Sequence, residues 1–548
     1  MMEEFTFFDL LKNASESAGK KDAFRFPGEG GEILSVTYRQ FFEDAKALGI
    51  SLHAILNPAG SVDSQASDAS DSQASGARDS AFPGAASQGS AAPVSALSGT
   101  VSPGSGFRHI ALLGENSFPW ILSFFAVTIS GNVAVPIDKD LPSAKVLELC
   151  RKTDCSAVIC SEKLAENISG LQNEGLSVIP MSTLPKLLSE GKILLSKALL
   201  PGDSFCCSPK DPAAIFFTSG TTGEMKGAVL SHWNLLSDAL HALESADRRI
   251  FRGNGTILAL PLHHTFSVFT VLQAISNSQP VFIGKSLRTL KADFQKAQPD
   301  YVTLVPMIAD SLLKMAEKTG AGASMFGGNF QAIFAGGAAV PQGLIEGYRA
   351  LGIRLFPGYG ITECAPLVAL SGGLEASCSG ISPQEIPGAW VIPCNEVKIA
   401  PDGEILVRGQ NVFSGYYNNP AATEEAFSDG WFKTGDLGTL DADGRLLITG
   451  RKKNLIILSN GENVSAEELE RLLFGFPYVR EVLCYGADDV IVAEAYLDPE
   501  SDGTAERFSA DVEALNASLP NHKKIGKTIV RATEFPKTSS HKIKRGTS

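Results

Sequence analysis

The sequence predicts an α/β protein: a large, multi-part N-terminal region of parallel sheets and helices, followed by a small C-terminal α+β unit. Three observations carry this. Short apolar runs alternate with helical stretches beyond residue 108, the pattern of a largely parallel sheet with helical crossovers. After about Glu404 the pattern becomes strand-rich, with "DADG" (441–444) as a turn between "GDLGTL" and "RLLITG". From "GRKKNLIIL" onward come a helix "SAEELERLLFGF", strands "VREVLCYG" and "VIVAEAYL", and a basic tail; Ser465 caps that helix with Glu468 three residues on. The expected boundary lies between residues 1–450 and 451–548.

Taken in order, the chain starts with "MMEEFTFFDLLKN", acidic where an export signal is basic, so a cytoplasmic location is expected. The run "TYRQFFEDAKALGISLHAIL" has apolar residues at helical spacing. From about 58 to 106 the composition collapses into Ser, Ala, Gly, Asp, Gln and Pro, with "DSQAS" nearly repeated. Such a segment buries almost no apolar surface and is expected to be disordered. Its flanks, a helix before and "HIALLGENS" after, read as one α/β layer, which makes the segment an insertion within a domain. Lengthening a loop costs only about 0.6 kcal/mol per doubling, so the fold tolerates it.

Residues 118–137, "FPWILSFFAVTISGNVAVPI", are twenty without a charge, about the length that spans a bilayer. Gly131-Asn132 divide them into a helix and a short strand, so a buried helix–strand pair is expected and no transmembrane segment. The runs "SAVIC", "LSVIP", "AAIFFTS", "GTILALPL", "PVFIG", "YVTLVP", "QAIFAGG" and "RLFPGYG" then read as successive strands. Functional loops belong at their ends.

Composition narrows the function. The 548 residues carry a formal net charge of −13, which supplies no basic field for nucleic acid. Nine cysteines lack paired metal-like spacing and read as free thiols of a reducing compartment.

Four segments carry chemistry. In "TSGTTGEMKGA" (218–228) hydroxyls alternate with glycines and Lys226 follows. Converging backbone N–H groups and hydroxyl donors make a phosphate cradle, although a Gly/Thr turn after a buried strand has the same composition. It is not a Walker A loop; the only Gly-Lys-Ser, Gly284 to Ser286, has Gln279 where the first glycine belongs. In "FPGYGITECAP" (356–366) Tyr359 offers an aromatic face, Thr362 a hydroxyl and Glu363 a carboxylate suited to Mg2+. "FAGGAAVP" (334–341) places Gly336, Gly337 and Ala338 where backbone can approach a ligand, or where a helix packs tightly on a strand. In "WFKTGDLGTL" Asp436 suits vicinal ribose hydroxyls, though in isolation it reads as a turn aspartate.

The order of "TSGTTGEMKG", "GGAAVP", "GYGITE", "WFKTGDLG", "GRKKNLIILSNGENVSAEELE" and "PKTSSHKIKR" resembles the acyl-adenylate-forming (AMP-binding) superfamily, in its acyl-CoA synthetase or fatty acid–CoA ligase branch. The resemblance implies a ligase that uses ATP and Mg2+ to convert a carboxylic acid into acyl-AMP, releasing pyrophosphate, then passes the acyl group to CoA. An acyl carrier protein acting in trans is the alternative acceptor, and a non-catalytic nucleotide-binding relative is a third reading. By motif position Thr218, Ser219, Gly220, Thr221, Thr222, Gly223 and Lys226 handle the β- and γ-phosphates. Tyr359 flanks adenine beside Gly360, Thr362 meets the α-phosphate and Glu363 holds the metal. Asp436 and Arg451 take the ribose, and Lys542 bridges carboxylate and α-phosphate. Lys453 is the hinge of a rotating C-terminal domain, and Gly461 lines the pantetheine channel.

Between Leu260 and Ile283 there is no acid to anchor a substrate ammonium. An apolar pocket with His263 near the carboxylate then implies a medium- to long-chain fatty acid or an aromatic one. Relatives specific for acetate carry Trp where this chain has Gly360, which implies an open tunnel here. Two positions depart from the family pattern: Met225 stands where Pro is usual, and His541 where Gly precedes the lysine.

Overall fold

The computed structural model describes residues 3–28, 30–56, 108–165, 168, 175–196, 207–219, 224–372, 388–458, 463–487, 490–537, 543 and 545. The 58–106 insertion, Gly220 to Gly223, Gly461, His541 and Lys542 lie outside them.

Two large sheets organise the N-terminal region. The first has nine strands, in the order Trp390–Val391, Leu367–Leu370, Arg354–Gly360, Ala332–Gly336, Tyr301–Leu304, Thr256–Leu258, Val281–Ile283, Asp22–Pro27 and Ile33–Thr37. The pairings from Arg354–Gly360 through Asp22–Pro27 are parallel; the outer ones are antiparallel. The second has seven strands: Gly415–Tyr416, Met225–Ser231, Pro212–Ser219, Val133–Ile137, His109–Leu113, Cys155–Cys160 and Ser177–Pro180. It is parallel from Pro212–Ser219 onward.

Alternation along each strand buries both faces, which is why these strands read as near-continuous apolar runs. In the seven-stranded sheet Ile110 and Leu112 face the central core, whereas Ala111 and Leu113 face an outer cluster with Val146 and Leu149. In the nine-stranded sheet Phe334 faces the central core, while Ile333 and Ala335 face an outer cluster with Leu312 and Leu344. The central core also holds Phe7, Phe41, Trp120, Phe125 and Leu236, all from helices. The uncharged stretch at 118–137 is helix Phe118–Ile129 followed by strand Val133–Ile137, buried as expected. No helix of the described residues is long and apolar enough to cross a membrane.

Helix Tyr38–Leu56 packs on helix Phe118–Ile129, which packs in turn on strand His109–Leu113. The two flanks of the insertion therefore share one layer.

A five-stranded sheet follows, with Glu404–Gly409, Trp431–Leu440 and Leu446–Arg451 paired antiparallel. The small C-terminal domain has its own core, including Leu469, Tyr478, Val482 and Phe508, built on strands Val479–Ala487, Val490–Leu497 and Ile525–Arg531. Its first helix spans Ala466–Leu473, shorter than the segment read from sequence; the Ser465 hydroxyl accepts from Glu468 N–H at 3.2 Å. The reciprocal half of a capping box is missing because Glu468 pairs with Lys523 at 2.8 Å.

Candidate active site

A cavity of about 1400 Å³ opens where the carboxyl ends of the parallel strands meet the five-stranded sheet and the start of the C-terminal domain. That is the place open parallel sheets offer a ligand. Its wall includes Thr218, Lys226, His263, Gly336, Glu363 and Arg451, so six positions predicted from five separate segments meet around one space.

The phosphate-type loop is bounded by a hairpin in which Thr218 pairs with Lys226 and Ser219 with Met225. Lys152 fastens the returning strand, reaching the Glu224 carboxylate at 2.6 Å and the Met225 carbonyl at 2.8 Å. The Lys226 ammonium lies 5.1 Å from the centre of the Tyr416 ring. Tyr416 pairs with Ala228 across an antiparallel bridge, which brings its ring to this place.

Glu363 sits in a single 3-10 turn, Thr362–Cys364, and is 5% exposed. The Tyr416 hydroxyl donates to its Oε1 at 2.8 Å, whereas its Oε2 is buried with no partner among the described residues. Burial pushes the carboxyl above its usual range, and the Tyr416 hydrogen bond pulls it partly back. A buried carboxylate with one unused oxygen fits a hard divalent cation such as Mg2+, which prefers oxygen ligands. The turn is held from behind by Asp238, itself fully buried, which accepts from Leu367 N–H at 3.1 Å and from Asn411 Nδ2 at 2.9 Å. Asn411 Nδ2 also reaches the carbonyls of Cys364 and Leu367, both at 2.8 Å.

Asp436 and Arg451 face each other across the hairpin of Trp431–Leu440 and Leu446–Arg451. Arg451 Nε donates to Asp436 Oδ1 at 2.5 Å, and the Tyr359 hydroxyl donates to Oδ2 at 2.8 Å. Burial, with Asp436 beside it, holds the Tyr359 phenol well above its ordinary value, so it stays a donor. A carboxylate has about four acceptor sites; with Arg451 Nη2 also donating to Oδ2 at 3.4 Å, one remains for a ligand's hydroxyl. Beneath it, Gly435 N–H donates to Glu404 Oε1 at 2.9 Å, and Lys452 holds Glu404 Oε2 at 2.8 Å.

His263 and Asp138 approach to 3.7 Å on the opposite wall. Burial lowers the imidazole pKa more than Asp138 raises it, leaving His263 neutral at pH 7. Asn116 shapes this wall by donating to the Leu260 carbonyl at 2.8 Å and accepting from Leu262 N–H at 3.0 Å. Gly337 and Ala338 are exposed at the end of their strand, and Gly337 has φ +85, a conformation glycine supplies. A Cβ on Gly360 would stand 2.2 Å from the Pro366 carbonyl oxygen. This glycine is therefore required by close backbone approach, a reason independent of any tunnel.

Sequence reading missed Tyr416, Asp238 with Asn411, Asn116, and the Glu404–Lys452 pair. The aromatic pair in "SGYYNNP" after a strand was a usable signal for Tyr416; the others depend on long-range contacts. Among the described residues, two other cations of the tail are engaged. Lys537 pairs with Glu481 and Glu534, both at 2.6 Å, and Arg545 with Glu470 at 2.5 Å. Lys537 and Ile543 form an isolated antiparallel bridge.

The fold and cavity define a two-domain α/β protein with a site suited to a nucleotide. Residues 101–417 match the AMP-binding enzyme family, and residues 453–548 match the AMP-binding enzyme C-terminal domain. The chain belongs to the AMP-binding enzyme family. It is similar to a long-chain-fatty-acid–CoA ligase of Mycobacterium bovis, 29% identical over 75% of this chain and 76% of the relative. A feruloyl-CoA synthase of an Amycolatopsis species is 28% identical over 80% of this chain and 87% of its own. Among solved structures, the o-succinylbenzoate CoA synthetase of Bacillus subtilis with its acyl-adenylate intermediate superposes with TM-score 0.73 at 20% identity, covering 99% and 97% of the two chains. An anthranilate CoA ligase in complex with anthranoyl-AMP gives TM-score 0.75 at 17% identity, covering 99% and 96%. These structures share the fold.

Proposed function

We propose that this enzyme is an AMP-forming acid–CoA ligase. The carboxylate oxygen of its substrate attacks the α-phosphorus of ATP, the Pα–O bond to the β-phosphate breaks, and pyrophosphate leaves. The thiolate of CoA then attacks the acyl carbon of the acyl-AMP, the C–S bond forms, and AMP departs. The observation that supports this best is the convergence of Lys226, Glu363 with its unused oxygen, and the Tyr359–Asp436–Arg451 cluster on one cavity.

Bringing two anions together is mainly a task of charge neutralisation and positioning. Thr218 to Gly223 and Lys226 handle the β- and γ-phosphates, and Thr362 meets the α-phosphate. Asp436 and Arg451 hold the ribose while Tyr359 and the Gly336 to Ala338 edge border the base. Glu363 holds Mg2+, which when bound neutralises phosphate charge. Neutral His263 lies beside the incoming carboxylate, and Lys542 bridges it to the α-phosphate. The chain divides near Lys453, whose rotation carries Lys542 away and brings Gly461 to the CoA channel. Seven described cysteines are free, in keeping with a cytoplasmic enzyme.

The acid has an apolar body. A medium- to long-chain fatty acid is the first reading, supported by the absence of an ammonium anchor and by the relatives named for long-chain fatty acids. An aromatic acid is the second, supported by the phenylalanines beyond His263. The test is ATP–pyrophosphate exchange over aliphatic acids of increasing length and over benzoic and cinnamic acids, repeated with CoA. Exchange followed by thioester formation supports the reading; exchange without thioester, even at high CoA, points to a carrier protein instead.

A further inference from the structure

Behind the main cavity lies a second, of about 20 Å³, which shares Phe266, Gly358 and Leu367 with it. Its walls are apolar, with Phe334 and Phe356 stacked at 5.4 Å and Phe269 beside Phe266 at 6.2 Å. Two glycines stand beside the wall that the two cavities share. A Cβ on Gly336 would sit 3.4 Å from the Phe266 ring, and one on Gly358 would sit 3.3 Å from the Leu367 side chain.

Gln273 lines this cavity as well. It follows Phe266 and Phe269 on one face of helix Thr265–Ser276, roughly 10 Å further along the helix axis than Phe266. Gln273 is 3% exposed, lines the small cavity, and its Oε1 has no hydrogen-bond partner among the described residues. Burying an amide without a partner costs its full desolvation. A single water would fit the volume, but a stable buried water needs two to four polar partners, and Gln273 is the one polar side chain lining this cavity.

We infer that Gln273 is a specificity-determining residue and that the preferred acid ends, at the far side of its apolar body, in a hydrogen-bonding group such as a hydroxyl. This rests on the acid–CoA ligase reading and names its substrate class. The acid enters past Phe266 and Leu367, which wall both cavities and turn aside to admit it. Its apolar body lies in the main cavity, and only its hydroxyl end reaches the small one, to meet the Gln273 amide. A site built to hydrogen-bond a substrate hydroxyl discriminates strongly against the analogue that lacks it, because its own polar group is then left unpaired. The same chemistry is available from a hydroxylated aromatic acid or from an ω-hydroxy fatty acid.

The test compares kcat/KM for pyrophosphate exchange within two matched pairs: cinnamic against 4-hydroxycinnamic acid, and octanoic against 8-hydroxyoctanoic acid. The wild-type enzyme is expected to favour the hydroxylated member of at least one pair by about tenfold or more, and the favoured pair identifies the body as aromatic or aliphatic. Gln273→Leu and Gln273→Met, each checked for an unchanged melting temperature, should reverse that preference. If one fails to fold, the other decides; if both fail, the wild-type ratios decide. A wild-type preference for the unsubstituted acids, or equal rates, overturns the inference while leaving the ligase reading intact, as does a ratio unmoved by a folded Gln273 variant. Exchange with none of a broad set of acids overturns the ligase reading and this inference with it.

Discussion

Arg451 Nε donates to Asp436 Oδ1 at 2.5 Å from the position directly opposite it in an antiparallel hairpin, while the Tyr359 hydroxyl holds the other oxygen. The carboxylate is fixed before any ligand arrives, so its remaining acceptor site is aimed without further ordering cost. Hydrogen bonds to charged groups contribute about 1.5–3 kcal/mol. Asp436→Asn is therefore expected to weaken ATP binding about 10- to 100-fold, measured by calorimetry. An unchanged affinity would remove Asp436 from the nucleotide site.

Glu363 has one oxygen on Tyr416 and one unused. Glu363→Gln should raise the Mg2+ concentration needed for half-maximal pyrophosphate exchange by about tenfold or more, since it removes a charged oxygen ligand. Tyr416→Phe should have the smaller effect of a single hydrogen bond, about 1 kcal/mol or roughly fivefold. A Mg2+ titration on both variants measures this, and equal effects would contradict the assignment.

Glu470 anchors Arg545 and receives Cys484 N–H at 2.7 Å. Burial raises its carboxyl to about 7, against the opposing pull of Arg545. The folded state thus holds a proton that the unfolded chain releases near 4.5. The stability contributed by this group is fully present below about 4.5 and is lost as pH rises through about 7, by up to about 1.4 kcal/mol per pH unit. Thermal unfolding of Glu470→Gln between pH 5 and 8 should have a flatter pH dependence than the wild type. A slope unchanged by the substitution would rule this carboxyl out as its source.

Lys542 lies outside the described residues, between the engaged tail residues Lys537 and Arg545. Lys542→Ala is expected to lower acyl-AMP formation by about 100-fold or more, the loss typical of one donor aimed at developing charge. Thioester formation from supplied acyl-AMP and CoA should survive. Loss of both half-reactions to the same degree would mean the lysine serves folding or docking instead.

Much of the fold was legible because it depends on local pattern. Runs such as "QAIFAGG" and "SAVIC" are apolar on both faces and end in turn residues, and the observed strands Ala332–Gly336 and Cys155–Cys160 bury both. Strand "GTILALPL" was read too long, because pairing stops at Leu258 and Asn116 then holds Leu260 and Leu262 as a loop. The site was legible only in pieces. Asp436 alone reads as a turn residue, and only its register with Arg451 makes it a fixed acceptor. Tyr416 meets Glu363 from fifty-three positions away, and Asn411 meets Asp238 from 173; no local spacing encodes such contacts. The Gln273 amide is a polar residue in an apolar helix, and its meaning depends on the cavity it faces.

The most direct test of the ligase assignment is the identity of the nucleotide product. With ATP, Mg2+, CoA and an accepted acid, phosphorus NMR should record AMP and pyrophosphate formed in equal amounts with the acyl thioester. ADP and inorganic phosphate formed in their place would contradict it.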